Sequence, residues 1–261
     1  MISICLMPLN WWIEWLKWDL IYPVKENGSI ILKRHGFFAG MVTGMVTPGL
    51  VGNFIGRSYY SEKQKRPEVV YLTLLSNLSQ FLCSIVFGVL ALWLLHETPL
   101  NISFKTVFFT AGFILLMVSV LFVFAGKPWQ WLGYFFPSLQ LKMQVKNSKA
   151  LFLGLSLFRH LVFTAQFALM LHAFGAIVTW ELFLWIWEVY LFVTLVPSVF
   201  FGKVIVRDSI AVFVLVHAGV GMTPSAIFAS SLSVWLINLF VPFIIAILLL
   251  RRRSYVDAFN A

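Results

Sequence analysis

Charged side chains are scarce in this sequence: Asp, Glu, Lys and Arg make up 11% of its 261 residues, against about a quarter in an ordinary soluble domain. With hydrophobic residues at 61% and gathered in long blocks, that deficit excludes a soluble globular chain and marks a polytopic membrane protein. Cysteine is nearly absent. Cys5 and Cys83 stand far apart in apolar surroundings, form no metal pattern and do not look catalytic. Also missing are a paired-carboxylate spacing, a Ser/His/Asp set, a phosphate-binding Walker loop, an HExxH motif and a Cys/His cluster. Their absence counts against a self-contained enzyme and leaves no catalytic residue, metal or cofactor to expect. The alternating ten-residue pattern of outer-membrane barrels is missing too. The start lacks the basic and small-residue features of a signal peptide. The chain therefore reads as all-α, one transmembrane domain over 1–261, a bundle of helices.

What is present is a formal charge of +9. The 19 Lys and Arg sit mostly in short loops between apolar spans, which is how membrane topology is written, so nucleic acid is not the expected partner. The spans read as 1–20 (partial), 36–57, 68–96, 104–125, 150–174, 179–220 and 224–250. The first carries Trp11, Trp15 and Trp18 on one face beside Glu14, Lys17 and Asp19, a mixture suited to the aromatic belt at the membrane interface. Only half a span precedes those tryptophans, so a further helix before it is expected. In 68–96, Thr73, Asn77, Gln80, Ser84 and Gly88 recur at helical spacing, and this stripe should look into the bundle. The span 104–125 has few polar side chains and should face lipid. The segment 126–149 mixes tryptophans with lysines and should lie along the interface.

Two segments are broken. Thr47-Pro48-Gly49 interrupts the first, and Thr47-Pro48 reads as N-cap and N1 of a second half-helix. Pro197 interrupts the other, which ends in Lys203, Arg207 and Asp208. The loops around 57–66 and 127–149 and the end at 251–253 are basic, whereas 97–103, 175–180 and 219–223 contain no Lys or Arg. The basic group, with the C-terminus, should be cytoplasmic. That count closes only if 36–57 enters and leaves from the cytoplasmic side and 179–220 from the outer side, as re-entrant hairpins. Two opposed hairpins separated by three spans is the arrangement inverted repeats produce.

Several residues could carry function. The half-helix after Pro48 would present free N–H groups and a positive dipole end to a phosphate or carboxylate, with Gly49, Gly52 and Gly56 allowing close approach and Arg57 at its far end. The same residues also suit a glycine-lined packing helix kinked by proline. Arg159 lies near the middle of its span, where a charge is paired or lines a polar cavity; Glu188 and Asp208 are the partners in view. An ion pair tying two helices and a substrate or proton role both remain open. His160 reads as a core histidine. Lys203 and Arg207 could hold an anionic headgroup or act as snorkelling anchors.

Thr47-Pro48-Gly49 with Gly52-Asn53 and Gly56-Arg57, then Asn77 to Gln80, then Leu195-Val196-Pro197-Ser198 with Lys203, Arg207 and Asp208, resemble the lysylphosphatidylglycerol synthase transmembrane-region family of flippase-like membrane proteins, in a stand-alone bacterial form. That family usually has glutamate where Asn53 stands, and an acidic or small residue where Lys203 stands. The resemblance implies a module that translocates or positions a lipid or lipid-linked substrate; the aminoacyl-transfer domain of the fused members is not in this sequence. The function expected is a flippase for an anionic lipid in the bacterial inner membrane. Pro48, Gly49, Gly52, Asn53, Arg57, Asn77, Gln80, Arg159, Glu188, Lys203, Arg207 and Asp208 are the candidate contacts. Rival readings are a transferase with Glu188 or Asp208 as base, and a non-catalytic assembly subunit.

Overall fold

A computed structural model describes residues 2–22, 30–47, 51–97, 99, 103–124, 148–196 and 202–251. Among these residues there is helix and no strand. The order is α1 (Ile2–Ile21), α2 (Ile30–Val46), α3 (Val51–Tyr59), a short 3₁₀ turn, α4 (Arg66–Leu95), α5 (Phe104–Phe124), α6 (Ser148–Ala173), α7 (Trp180–Leu195) and α8 (Gly202–His217). Then α9 (Pro224–Trp235) runs through a π-helical turn at Leu236–Phe240 into α10 (Val241–Arg251). Four helical stretches are long and apolar enough to cross a membrane: Arg66–Leu95, Phe104–Phe122, Lys149–Ala173 and Pro224–Leu250.

Local chemistry sets several of these ends. Helix α4 starts on Pro67, with Glu68 in its first turn, and stops at His96, which takes a left-handed φ of 55° and returns its N–H to the Leu92 carbonyl. Thr179 caps α7 by accepting from the Leu182 N–H, and Thr223, ahead of Pro224, caps α9 by accepting from Ala226. A capping threonine followed by proline at the first helical position is a favoured helix start.

Helix α4 is the central post. Its buried side chains Leu72, Leu75, Ile85 and Leu92 share one apolar core with Trp18 of α1, Phe37 of α2, Val118 of α5 and Phe152 of α6. A second core joins Leu171 of α6, Ile186 and Val189 of α7, Val214 of α8 and Ile227 of α9. Gly88 lets α7 come close, because a Cβ there would strike Leu191. As expected, Thr73, Ser84 and Gly88 are buried on the inward stripe of α4, while α5 exposes Phe109, Phe113 and Leu116 to the surroundings.

Both breaks separate paired helices. Helices α2 and α3 pack together, and so do α7 and α8; α4, α5 and α6 lie between the two pairs in the chain. The first pair starts at Ile30, six residues ahead of the expected boundary at 36, and its members are unequal at 17 and 9 residues, about 26 and 14 Å at 1.5 Å per residue. Pro48, Gly49 and Pro197 fall outside the described residues, as does nearly all of the connector expected over 126–149. Thr47 is not the N-cap of the second helix, which begins four residues later at Val51; its Oγ1 accepts from the Gly52 N–H at 2.7 Å.

Helix α1 is an unbroken 20-residue helix packed on α6, with Ile13, Lys17 and Trp18 buried. Asn10, Glu14 and Lys17 follow one another at helical spacing and supply an inward polar stripe, while Trp15 meets Phe37 edge-on at 5.2 Å.

Candidate functional site

Polar side chains in the bundle interior form a connected chain, as burial in an apolar medium requires. Glu14 of α1 is its hub. Its Oε1 accepts from Arg57 Nη2 of α3 at 2.8 Å, and its Oε2 from Arg159 Nη1 of α6 at 2.7 Å. Arg159 Nε donates to Asn10 Oδ1 at 2.8 Å. Asn10 Nδ2 donates to Asn238 Oδ1 at 3.2 Å, and Asn238 Nδ2 to Gln166 Oε1 at 2.6 Å. Gln166 ends the chain by donating to the Ser3 carbonyl at 2.8 Å. One turn from Glu14, Lys17 Nζ donates to the Ser76 carbonyl and to Ser156 Oγ at 3.1 and 3.0 Å. Helices α1, α3, α4 and α6 and the π-helical turn after α9 are thereby tied by hydrogen bonds and ion pairs as well as by packing.

A cavity of about 240 Å³ opens beside this chain. Its polar wall includes Asn10, Gln80, Ser84, Arg159, Arg207 and Asn238, and its apolar wall includes Phe163, Phe167, Val189, Val234 and Leu239, with His160, Tyr190 and Trp235 between them. The Arg159 guanidinium lies over the Phe163 ring at 5.0 Å. Arg207 of α8 donates from Nε and Nη2 to Asp208 Oδ1 at 3.1 and 2.7 Å, and from Nη2 to the Ser231 carbonyl at 2.9 Å; Ser231 Oγ donates to the same Asp208 oxygen at 2.6 Å. His160 stacks on Phe87 at 4.8 Å. Two buried atoms on residues of the wall have no hydrogen-bond partner among the described residues: Gln80 Oε1 and His160 Nε2. The cavity thus combines two guanidiniums, unfilled polar atoms and aromatic surface, a set able to hold an anionic group carried on an apolar body.

The residues singled out from the sequence divide into groups. Gln80, Arg159 and Arg207 line the cavity. Asn77 is half-buried on the same helix. Arg57 is 3% exposed and faces Glu14, with Trp18 under its guanidinium at 5.1 Å. Gly52 and Asn53 belong to the α2–α3 contact, where Asn53 Oδ1 is buried without a partner. Lys203 lies in α8 and its side chain is outside the described residues. Arg159 pairs with neither Glu188 nor Asp208, contrary to expectation, because the nearer carboxylate comes from α1. Asp208 is instead held by its neighbour Arg207 and by Ser231. Glu188 is fully buried, its two carboxylate oxygens have no hydrogen-bond partner among the described residues, and it is not among the residues lining the cavity.

Residues that the sequence reading passed over include Glu14, Asn10, Gln166 and Asn238. A signal for the first two was present: Asn10, Glu14 and Lys17 at spacings of four and three mark one polar helical face. The tryptophans among them carried an equally good interfacial reading. Asn238 sits in the π-helical turn, a local irregularity that often marks functional sites and has no dependable sequence mark.

Compared with known families, residues 1–246 match the family described as Lysylphosphatidylglycerol synthase TM region. No curated protein and no solved structure matches the chain.

Proposed function

The chain belongs to the lysylphosphatidylglycerol synthase TM-region family, and on that premise we propose that it translocates an amphiphile with an anionic phosphate headgroup across the bacterial inner membrane. The observation that carries this reading is the convergence of Arg159 and Arg207, from separate helices, on one cavity with an aromatic and aliphatic wall. A guanidinium grips a phosphate through paired N–H groups. Arg159 Nη2 and Arg207 Nη1 make no hydrogen bond among the described residues. His160 Nε2, carrying its N–H, donates to the phosphate, Gln80 Oε1 accepts from a hydroxyl of the headgroup, and the tails remain in lipid.

Two packed helix pairs, with three helices between them among the described residues, support opposed re-entrant hairpins and an inverted repeat. In this reading the α2–α3 pair opens to the cytoplasm, the α7–α8 pair opens to the outer face, and the C-terminus is cytoplasmic.

The test is lipid co-purification. Native mass spectrometry of the chain extracted in mild detergent should show a bound anionic phospholipid, and Arg159→Gln and Arg207→Gln should each strip it. Equal retention of that lipid by both variants would contradict the site.

A further inference from the structure

Arg159 faces the cavity with one terminal nitrogen already taken. Its Nη1 donates to Glu14 Oε2, and the other oxygen of Glu14 is held by Arg57 Nη2, at 2.7 and 2.8 Å. One carboxylate on α1 therefore serves two guanidiniums, one at the cavity and one on the short helix α3. Arg57 has capacity to spare: its Nε and Nη1 are buried and have no hydrogen-bond partner among the described residues.

We propose that Glu14 is a built-in competitor for the headgroup: a phosphate in the cavity takes Arg159 from Glu14, and the released carboxylate moves fully onto Arg57. This rests on the headgroup reading above. A phosphate gripped by Nη1 and Nη2 of Arg159 draws on the same guanidinium charge that Glu14 Oε2 meets at Nη1, so the two anions compete for one cation. The exchange strands no buried charge, because the freed Glu14 oxygen meets unfilled donors on Arg57 and Arg159 gains the phosphate. Two cations sharing one carboxylate also leave a positive excess that an incoming anion neutralises. The site thus has two discrete arrangements, and occupancy biases which is populated. Loading exchanges the α1–α6 tie for a tighter α1–α3 pair, and in this way the cavity acts on the α2–α3 hairpin.

The experiment titrates the full chain in detergent with dioleoyl phosphatidylglycerol and, separately, with dioleoyl phosphatidylcholine, reading Kd by native mass spectrometry. Glu14→Gln removes the competing charge and should tighten the phosphatidylglycerol complex on the order of tenfold, about 1.4 kcal/mol, while leaving phosphatidylcholine unchanged. Glu14→Asp keeps the charge but is one methylene too short to span both arginines; it should tighten binding by a smaller factor, and it decides the matter if Glu14→Gln does not fold. A merely structural role would weaken binding, so the gain is diagnostic. Unchanged or weaker phosphatidylglycerol binding in the folded variants overturns the competition while leaving the headgroup site standing. If the unsubstituted chain does not prefer phosphatidylglycerol over phosphatidylcholine, the headgroup site falls and the competition with it.

Discussion

Gly52 and Gly56 show how α3 lies so close to α2. A Cβ on Gly52 would fall on the Thr43 carbonyl, and one on Gly56 would sit 2.6 Å from the Ala39 oxygen; both are backbone atoms that cannot swing aside. Gly52→Ala should therefore destabilise the protein by about 1–3 kcal/mol, the usual range for overpacking. Gly154→Ala on α6, where a Cβ meets nothing within 4 Å, should be neutral or stabilising by up to about 1 kcal/mol. Reversible unfolding in mixed micelles measures both. The spacing of these glycines was legible in the sequence, as was the need of Arg159 for a partner in the apolar interior. Which carboxylate answers Arg159 was not, because Glu14 is 145 positions away and only packing of α1 on α6 brings them together.

The polar chain from α1 to the π-helical turn raises the same question for elements. Asn238 links Asn10 and Gln166 across three helices, so Asn238→Leu would leave two buried amides each short of a partner. Its expected cost is about 0.6–2 kcal/mol, the range of interhelical hydrogen bonds in membranes. Ser233→Ala removes a bond only to the Ala229 carbonyl of its own helix and should change stability by less than about 0.5 kcal/mol. Equal effects in the same unfolding measurement would show that the chain does not tie the helices. The spans and caps were readable here because hydropathy and Thr-Pro pairs are local signals. The inward turn of α1 was not, since its tryptophans satisfy an interface and a core equally well: Trp18 ends fully buried while Trp12 stays exposed.

For the whole molecule, the basic and cation-free loops predict sidedness. In a Cys5→Ser background, which removes the exposed native thiol, Lys63→Cys and Ile177→Cys offer exposed labelling positions that the loop charges assign to opposite faces. A membrane-impermeant thiol reagent should label Ile177→Cys in intact cells and Lys63→Cys only after lysis. Labelling of both from outside would undo the topology on which the opposed hairpins rest. Translocation itself is tested most directly in sealed liposomes carrying fluorescent phosphatidylglycerol in both leaflets and an impermeant quencher outside. The full chain should let the inner-leaflet fluorescence be lost faster than in protein-free liposomes, and Arg159→Gln with Arg207→Gln should return the rate to the protein-free value. A rate equal to that of empty liposomes, or one untouched by losing both arginines, would contradict the account.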